Sequence, residues 1–167
     1  MSILRSAIVV LVVGTVVSVA AQAQSDSPPS SCPVTTPPKP FFVPPTPYPA
    51  TTSGGSFYFG TPKLWALVWK SPWRGLALWN EGYRQKIFWW SEGYDWKQDP
   101  QPALSVTGKR LDAPTAPLVS DDHADNGYRD DMRSFIVTGV NFPTIGCWQI
   151  TGRFHGQVLS FVVWVDK

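Results

Sequence analysis

Two histidines, two cysteines and two methionines are all the soft ligands and reactive sulfurs that the 167 residues contain. With Met1 set aside, Met132 is the only methionine, so a methionine-rich copper site is excluded. His123 and His155 are too few for a transition-metal centre, which needs several convergent ligands. No G-x-S-x-G is present, and no Ser or Cys stands in order with His and Asp as a nucleophile relay requires. Glu81 and Glu92 are a conceivable carboxylate pair for glycoside hydrolysis, but Glu81 precedes Gly82 in an expected turn. A secreted hydrolase is therefore the weakest reading and a non-catalytic protein the stronger one, with no cofactor implied.

Charge of one sign is also missing. Removing Arg5 from the 14 basic side chains leaves 13 against 12 acidic ones, no electrostatic basis for holding nucleic acid or an anionic membrane. No stretch keeps a helical period over three turns, and no apolar run beyond residue 23 is long enough to span a bilayer.

What is present starts with an export pattern. Met1 to Arg5 is a short positive start, Ala7 to Val19 is apolar, and Ala21-Gln22-Ala23 fits a small-x-small cleavage site. Residues 1–23 read as a secretory signal peptide, which places the remainder in the periplasm, at the cell surface or outside the cell. Two cysteines in an exported chain favour one disulfide, Cys32–Cys147, over two unrelated thiols.

Residues 24–55 form a proline-rich zone, with ten prolines between Ser25 and Ala50, so an extended strap or spacer is expected. Phe41-Phe42-Val43 and Tyr48 are apolar insertions in it that could pack onto a domain.

Residues 56–167 read as one all-β domain. The expected strands are Phe57–Gly60, Lys63–Lys70, Leu76–Asn80, Gln85–Trp90, Ala103–Leu111, Ser134–Phe142 and two arms of a closing hairpin between Gly146 and Lys167. Breaks carry turn chemistry, among them Asn80-Glu81-Gly82, Asn126-Gly127 and Pro143 to Gly146. With His155-Gly156 as the hairpin turn, Arg153 faces Val158, Thr151 faces Ser160, Ile150 faces Phe161, Trp148 faces Val163 and Cys147 faces Trp164. Trp148, Ile150, Phe161, Val163 and Val165 then share one face, and Gln149, Thr151, Arg153 and Ser160 the other. Cys147 points away from the core in this register. Three β-branched–Thr–Gly triplets, ending at Gly108, Gly139 and Gly152, mark bulges or close backbone approaches.

The segments KLWALVW, KIFWW, ALSVTGKRLDAPTAPL and FIVTGVNFPTIGCWQITGRFHGQVLSFVVWV resemble a family of uncharacterised secreted bacterial proteins. Its pattern has a Cys-Pro-Val-Thr start and an F-P-x-x-G-C-W-x-x-T-G end; Gln149 stands where an acid is usual, and Ala116 where a proline is. The resemblance implies an immunoglobulin-like antiparallel β-sandwich with paired cysteines and implies no activity. Cys32 and Cys147 both fall in its motifs, which strengthens their pairing.

Two surfaces are candidates for recognition of a protein or glycan partner. Trp73, Trp89, Trp90, Tyr94 and Trp96 crowd one region, and exposed rings among them would stack on sugars as a carbohydrate-binding module does. Leu64 to Trp69 is apolar on both strand faces, one for the core and one for a neighbour. Asp121, Asp122, Asp125, Asp130 and Asp131 form a weak calcium candidate, since EF-hand spacing from Asp122 fails at Ala124 and Arg133.

Overall fold

The computed structural model describes residues 27–80 and 82–167; the signal-peptide reading and Glu81 lie outside the described residues. Ten strands follow in order: β1 (Ser56–Thr61), β2 (Leu64–Trp69), β3 (Ala77–Trp79), β4 (Gly82–Trp90), β5 (Ser105–Arg110), β6 (Val119–Ser120), β7 (Asp125–Arg129), β8 (Arg133–Phe142), β9 (Gly146–Phe154) and β10 (Gln157–Val165). The described residues contain no α-helix.

Two antiparallel sheets pack face to face, as the all-β sandwich expectation requires. The larger runs β1-β2-β4-β8-β6, with β3 also on β4 and β7 also on β8; the smaller runs β10-β9-β5. The closing hairpin takes the expected register, from Val158 opposite Arg153 to Trp164 opposite Cys147. His155 and Gly156 both have positive φ, 46° and 76°, as a two-residue turn between right-twisting strands demands. Side chains of Trp148, Ile150, Phe161, Val163 and Val165 are all buried between the sheets.

That core is aromatic. Phe142 lies edge-on to Trp148 at 5.5 Å and to Trp73 at 6.1 Å, and Trp89 meets Phe161 at 5.8 Å. Glycines make room for it. A Cβ on Gly152 would sit 2.5 Å from the Trp89 ring, and one on Gly108 3.0 Å from Leu118. The Thr-Gly triplets are thus close approaches.

The acidic segment departs from expectation. Asn126-Gly127 is no turn but the middle of β7, paired with Ile136 and Phe135. Asn126 is held there because its Nδ2 donates to Trp96 O at 2.9 Å and Asp99 O at 2.8 Å. Gly127 is required for space, since a Cβ would lie 2.6 Å from the Phe135 ring. The short β6 likewise went unpredicted, since two residues carry no periodicity.

The proline-rich segment straps the sandwich. Cys32 is bonded to Cys147, with Cα atoms 5.7 Å apart, on the outer face of the smaller sheet. Thr35 N donates to Val162 O, and Val162 N to Thr35 Oγ1, both at 2.8 Å, which closes part of the β10 edge. The chain then rounds the side of the sandwich. Phe42 and Tyr48 pack on Trp65, at 6.0 and 5.0 Å, over the outer face of the larger sheet. This explains the double-sided β2: Leu64, Ala66 and Val68 face the main core, while Trp65 and Leu67 face a second aromatic layer with Tyr58, Phe88 and Trp90 under the strap.

Candidate binding surfaces

Trp73, Trp89, Trp90 and Tyr94 are each under 10 % exposed, so they are core and offer no stacking platform. Trp73 Nε1 donates to Trp69 O and Trp90 Nε1 to Met132 O, bonds that hold both rings inward. Trp96 is half-buried, with Tyr128 stacked on it at 6.4 Å and Lys97 Nζ at 5.8 Å from its centre. The density of tryptophan here reflects two buried layers, one on each face of the larger sheet.

The five carboxylates do not converge. Asp121 is tied to Arg84 at 2.7 Å and accepts from Gly139 N at 2.8 Å. Asp130 accepts from Tyr128 Oη, and Asp131 pairs with Arg129. Among the described residues no three His, Cys, Asp or Glu side chains are gathered as a metal needs. Strand β7 divides the segment: Asp125 opens it opposite Val137, and Asp130 and Asp131 lie past its other end. Glu92 is exposed and pairs with Lys63 at 3.5 Å.

Shifted groups serve the fold. Arg110 donates to Asp112 and holds its carboxyl below the usual carboxylate range; the Cys147 N–H adds to this beside the disulfide. Burial pushes the Tyr48 and Tyr58 phenols up, helped by the charges of Glu92 and Asp131 respectively.

Two surfaces remain that the sequence reading did not isolate. The first is an apolar groove of about 520 Å³ lined by Pro38, Pro40, Phe41, Phe42, Val43, Phe59, Gly60, Thr61 and Leu159. It lies where the strap rounds the open side between β1 and β10. Phe42 turns inward, whereas Phe41 and Val43 stay 68 % and 57 % exposed. Sequence marked these residues as apolar insertions, and alternation along an extended chain sends one inward and its neighbours out.

The edge of β1 beside this groove is open. Lys70 N donates to Gly55 O, which sets the alternation of the β1–β2 ladder. It aims the N–H and C=O of Tyr58 and Gly60 away from β2. Ser56 is capped by Ser53 and Thr52, but among the described residues no backbone partner meets Tyr58 or Gly60 on that side. The β10 edge differs, since Thr35 covers it at Val162, and Ser71 Oγ and Trp73 N cover it at Trp164.

The second surface is at the opposite end of the larger sheet's outer face. Here Trp79, 56 % exposed, stands over a mostly polar cleft of about 200 Å³ formed with Asn80, Arg84, Val119, Ser120, Asp121, Asp122 and Asn141. A tryptophan placed directly before an Asn-x-Gly turn is carried at a hairpin tip, the signal that could have singled it out.

The chain matches no protein-family model, no curated protein and no solved structure.

Proposed function

We propose that this chain is a non-catalytic interaction module that works outside the cytoplasm and takes an extended, apolar-alternating peptide segment of a partner protein into the groove beside β1. The observation that carries the reading is the pairing of Phe41 and Val43, both solvent-exposed at the groove, with an uncapped strand edge. Main-chain donors and acceptors at Tyr58 and Gly60 supply affinity by strand addition, and the Phe41, Val43 and Phe59 surface selects alternate apolar side chains. Edge strands left open invite such pairing, and chains that avoid it cover them, as this one covers β10. The export pattern in residues 1–23 and the Cys32–Cys147 bond support the extracytoplasmic assignment, since such bonds persist in oxidising compartments. The resemblance to secreted bacterial proteins points the same way.

Panning a random peptide library tests it. Wild type enriches alternating apolar sequences that protect the Tyr58 and Gly60 amides from hydrogen exchange, and Phe41→Ser with Val43→Ser loses them. Equal enrichment on wild type and the double variant would end this reading. Self-association in sedimentation that disappears in the double variant would assign the groove to a second copy instead.

A further inference from the structure

The outer face of the larger sheet is divided. Its β1 end is roofed by the strap, while its β3 end is open and polar. Ladder pairing puts Trp79 beside Gly82, Arg84 beside Asn141, and Lys86 beside Gly139 on this same face. The two glycines shape the floor. A Cβ on Gly82 would fall 2.7 Å from the Asn141 amide, and one on Gly139 would run into the Arg84–Asp121 pair. That pair therefore lies flat over β8, with Asp121 Oδ1 and Oδ2 at 2.7 and 2.9 Å from Arg84 Nη2 and Gly139 N donating to Oδ2 at 2.8 Å. Arg84 also stands 5.5 Å from the centre of the Trp79 ring, fixing the ring beside the cleft.

We infer that this cleft is a binding site for a neutral sugar ring, with Trp79 as the stacking wall and Asn141, Asp122 and the Arg84–Asp121 pair as hydroxyl partners. Charge argues for a neutral ligand. Among the described residues that line the cleft, Arg84 is neutralised by Asp121 and Asp122 is the one other charged group, so an anion meets no unpaired cation in that lining; Lys86, on the same face, lies outside it. Vicinal hydroxyls, each both donor and acceptor, suit planar carboxylate, guanidinium and amide groups, and the C–H face of the ring suits indole. Asn141 contributes an independent sign: its Oδ1 is buried and accepts no hydrogen bond among the described residues, whereas buried acceptors are normally satisfied. The volume of about 200 Å³ suits one ring of a chain rather than a drug-sized ligand. The site differs from the earlier tryptophan platform, whose rings are core, and it is independent of the groove beside β1.

The test uses affinity electrophoresis of the intact disulfide-bonded chain in gels containing dextran, galactomannan, xyloglucan or mixed-linkage β-glucan. Retardation in at least one gel is expected, with the apparent affinity falling about tenfold or more in Trp79→Ala, the usual effect of removing an aromatic anchor. Trp79→Phe should keep part of it, and Asn141→Asp should weaken it without changing the melting midpoint by more than the Trp79 variants do. Phe41→Ser with Val43→Ser should bind sugar as wild type does, which separates failure of this site from failure of the peptide groove. Mobility unchanged in every gel, or retardation equal in wild type and Trp79→Ala, would overturn the assignment.

Discussion

Individual side chains here are distinguished less by burial than by whether their polar atoms find partners. Trp148 and Trp65 are both fully buried. Trp148 Nε1 donates to Thr144 O at 3.0 Å, whereas Trp65 Nε1 has no partner among the described residues. Replacing each with Phe removes similar volume, but only the first leaves a carbonyl without its donor. Trp148→Phe should therefore cost about 1 kcal/mol more than Trp65→Phe in urea unfolding, the typical net contribution of one hydrogen bond. Asp112 supplies a pH-dependent prediction. Its carboxyl is held below its ordinary value by Arg110, so its contribution is complete above the unfolded-state carboxylate pKa and is lost as pH falls through the folded one. The melting midpoint of wild type should exceed that of Asp112→Asn at neutral pH, and the gap should close below about pH 4. A gap that persists at low pH would assign the effect to shape rather than charge.

Among the strands, the closing hairpin was the most legible in sequence. Its apolar set alternates cleanly and its turn is two residues long, so a one-residue slip would bury Arg153 and Thr151. Strand β7 was the least legible. Asn126-Gly127 has turn chemistry, but the Asn126 amide is claimed by Trp96 and Asp99, distant carbonyls invisible to local reading. Glycine carries a similar lesson at β9. Gly152 looks expendable in a strand, yet the Trp89 ring packs onto it, so Gly152→Ala should destabilise by about 1–3 kcal/mol through overpacking. Gly152→Ala combined with Trp89→Phe should recover part of that loss if the clash is the cause. No recovery in chemical denaturation would mean that the backbone, and not the ring, needs the glycine.

For the molecule as a whole, the strap joins the two sheets and creates both the second aromatic layer and the groove. The Cys32–Cys147 bond spans a sequence separation of 115, so loop-closure entropy puts its contribution at about 5 kcal/mol at most. Cys32→Ser with Cys147→Ser should lower the unfolding midpoint and expose the Val162 amide, which Thr35 protects, to hydrogen exchange. If Val162 stayed protected, the prolines and aromatic contacts would hold the strap without the bond. Non-reducing digestion of the exported chain should release a linked Cys32–Cys147 peptide.

Sequence by itself determined whatever depends on local pattern or on counting: strand class, hairpin register, the facing of Cys147, and the scarcity of histidine, cysteine and methionine. These follow from a two-residue side-chain period and from counting residue types, neither of which needs a fold. Tertiary structure alone decided which aromatics are covered. Trp79 and Trp89 are the same residue in neighbouring strands, but Trp89 sits under the second sheet and Trp79 lies on the opposite face, at a hairpin tip that the strap leaves open. A ring's exposure depends on what crosses over it, and what crosses over it comes from far along the chain.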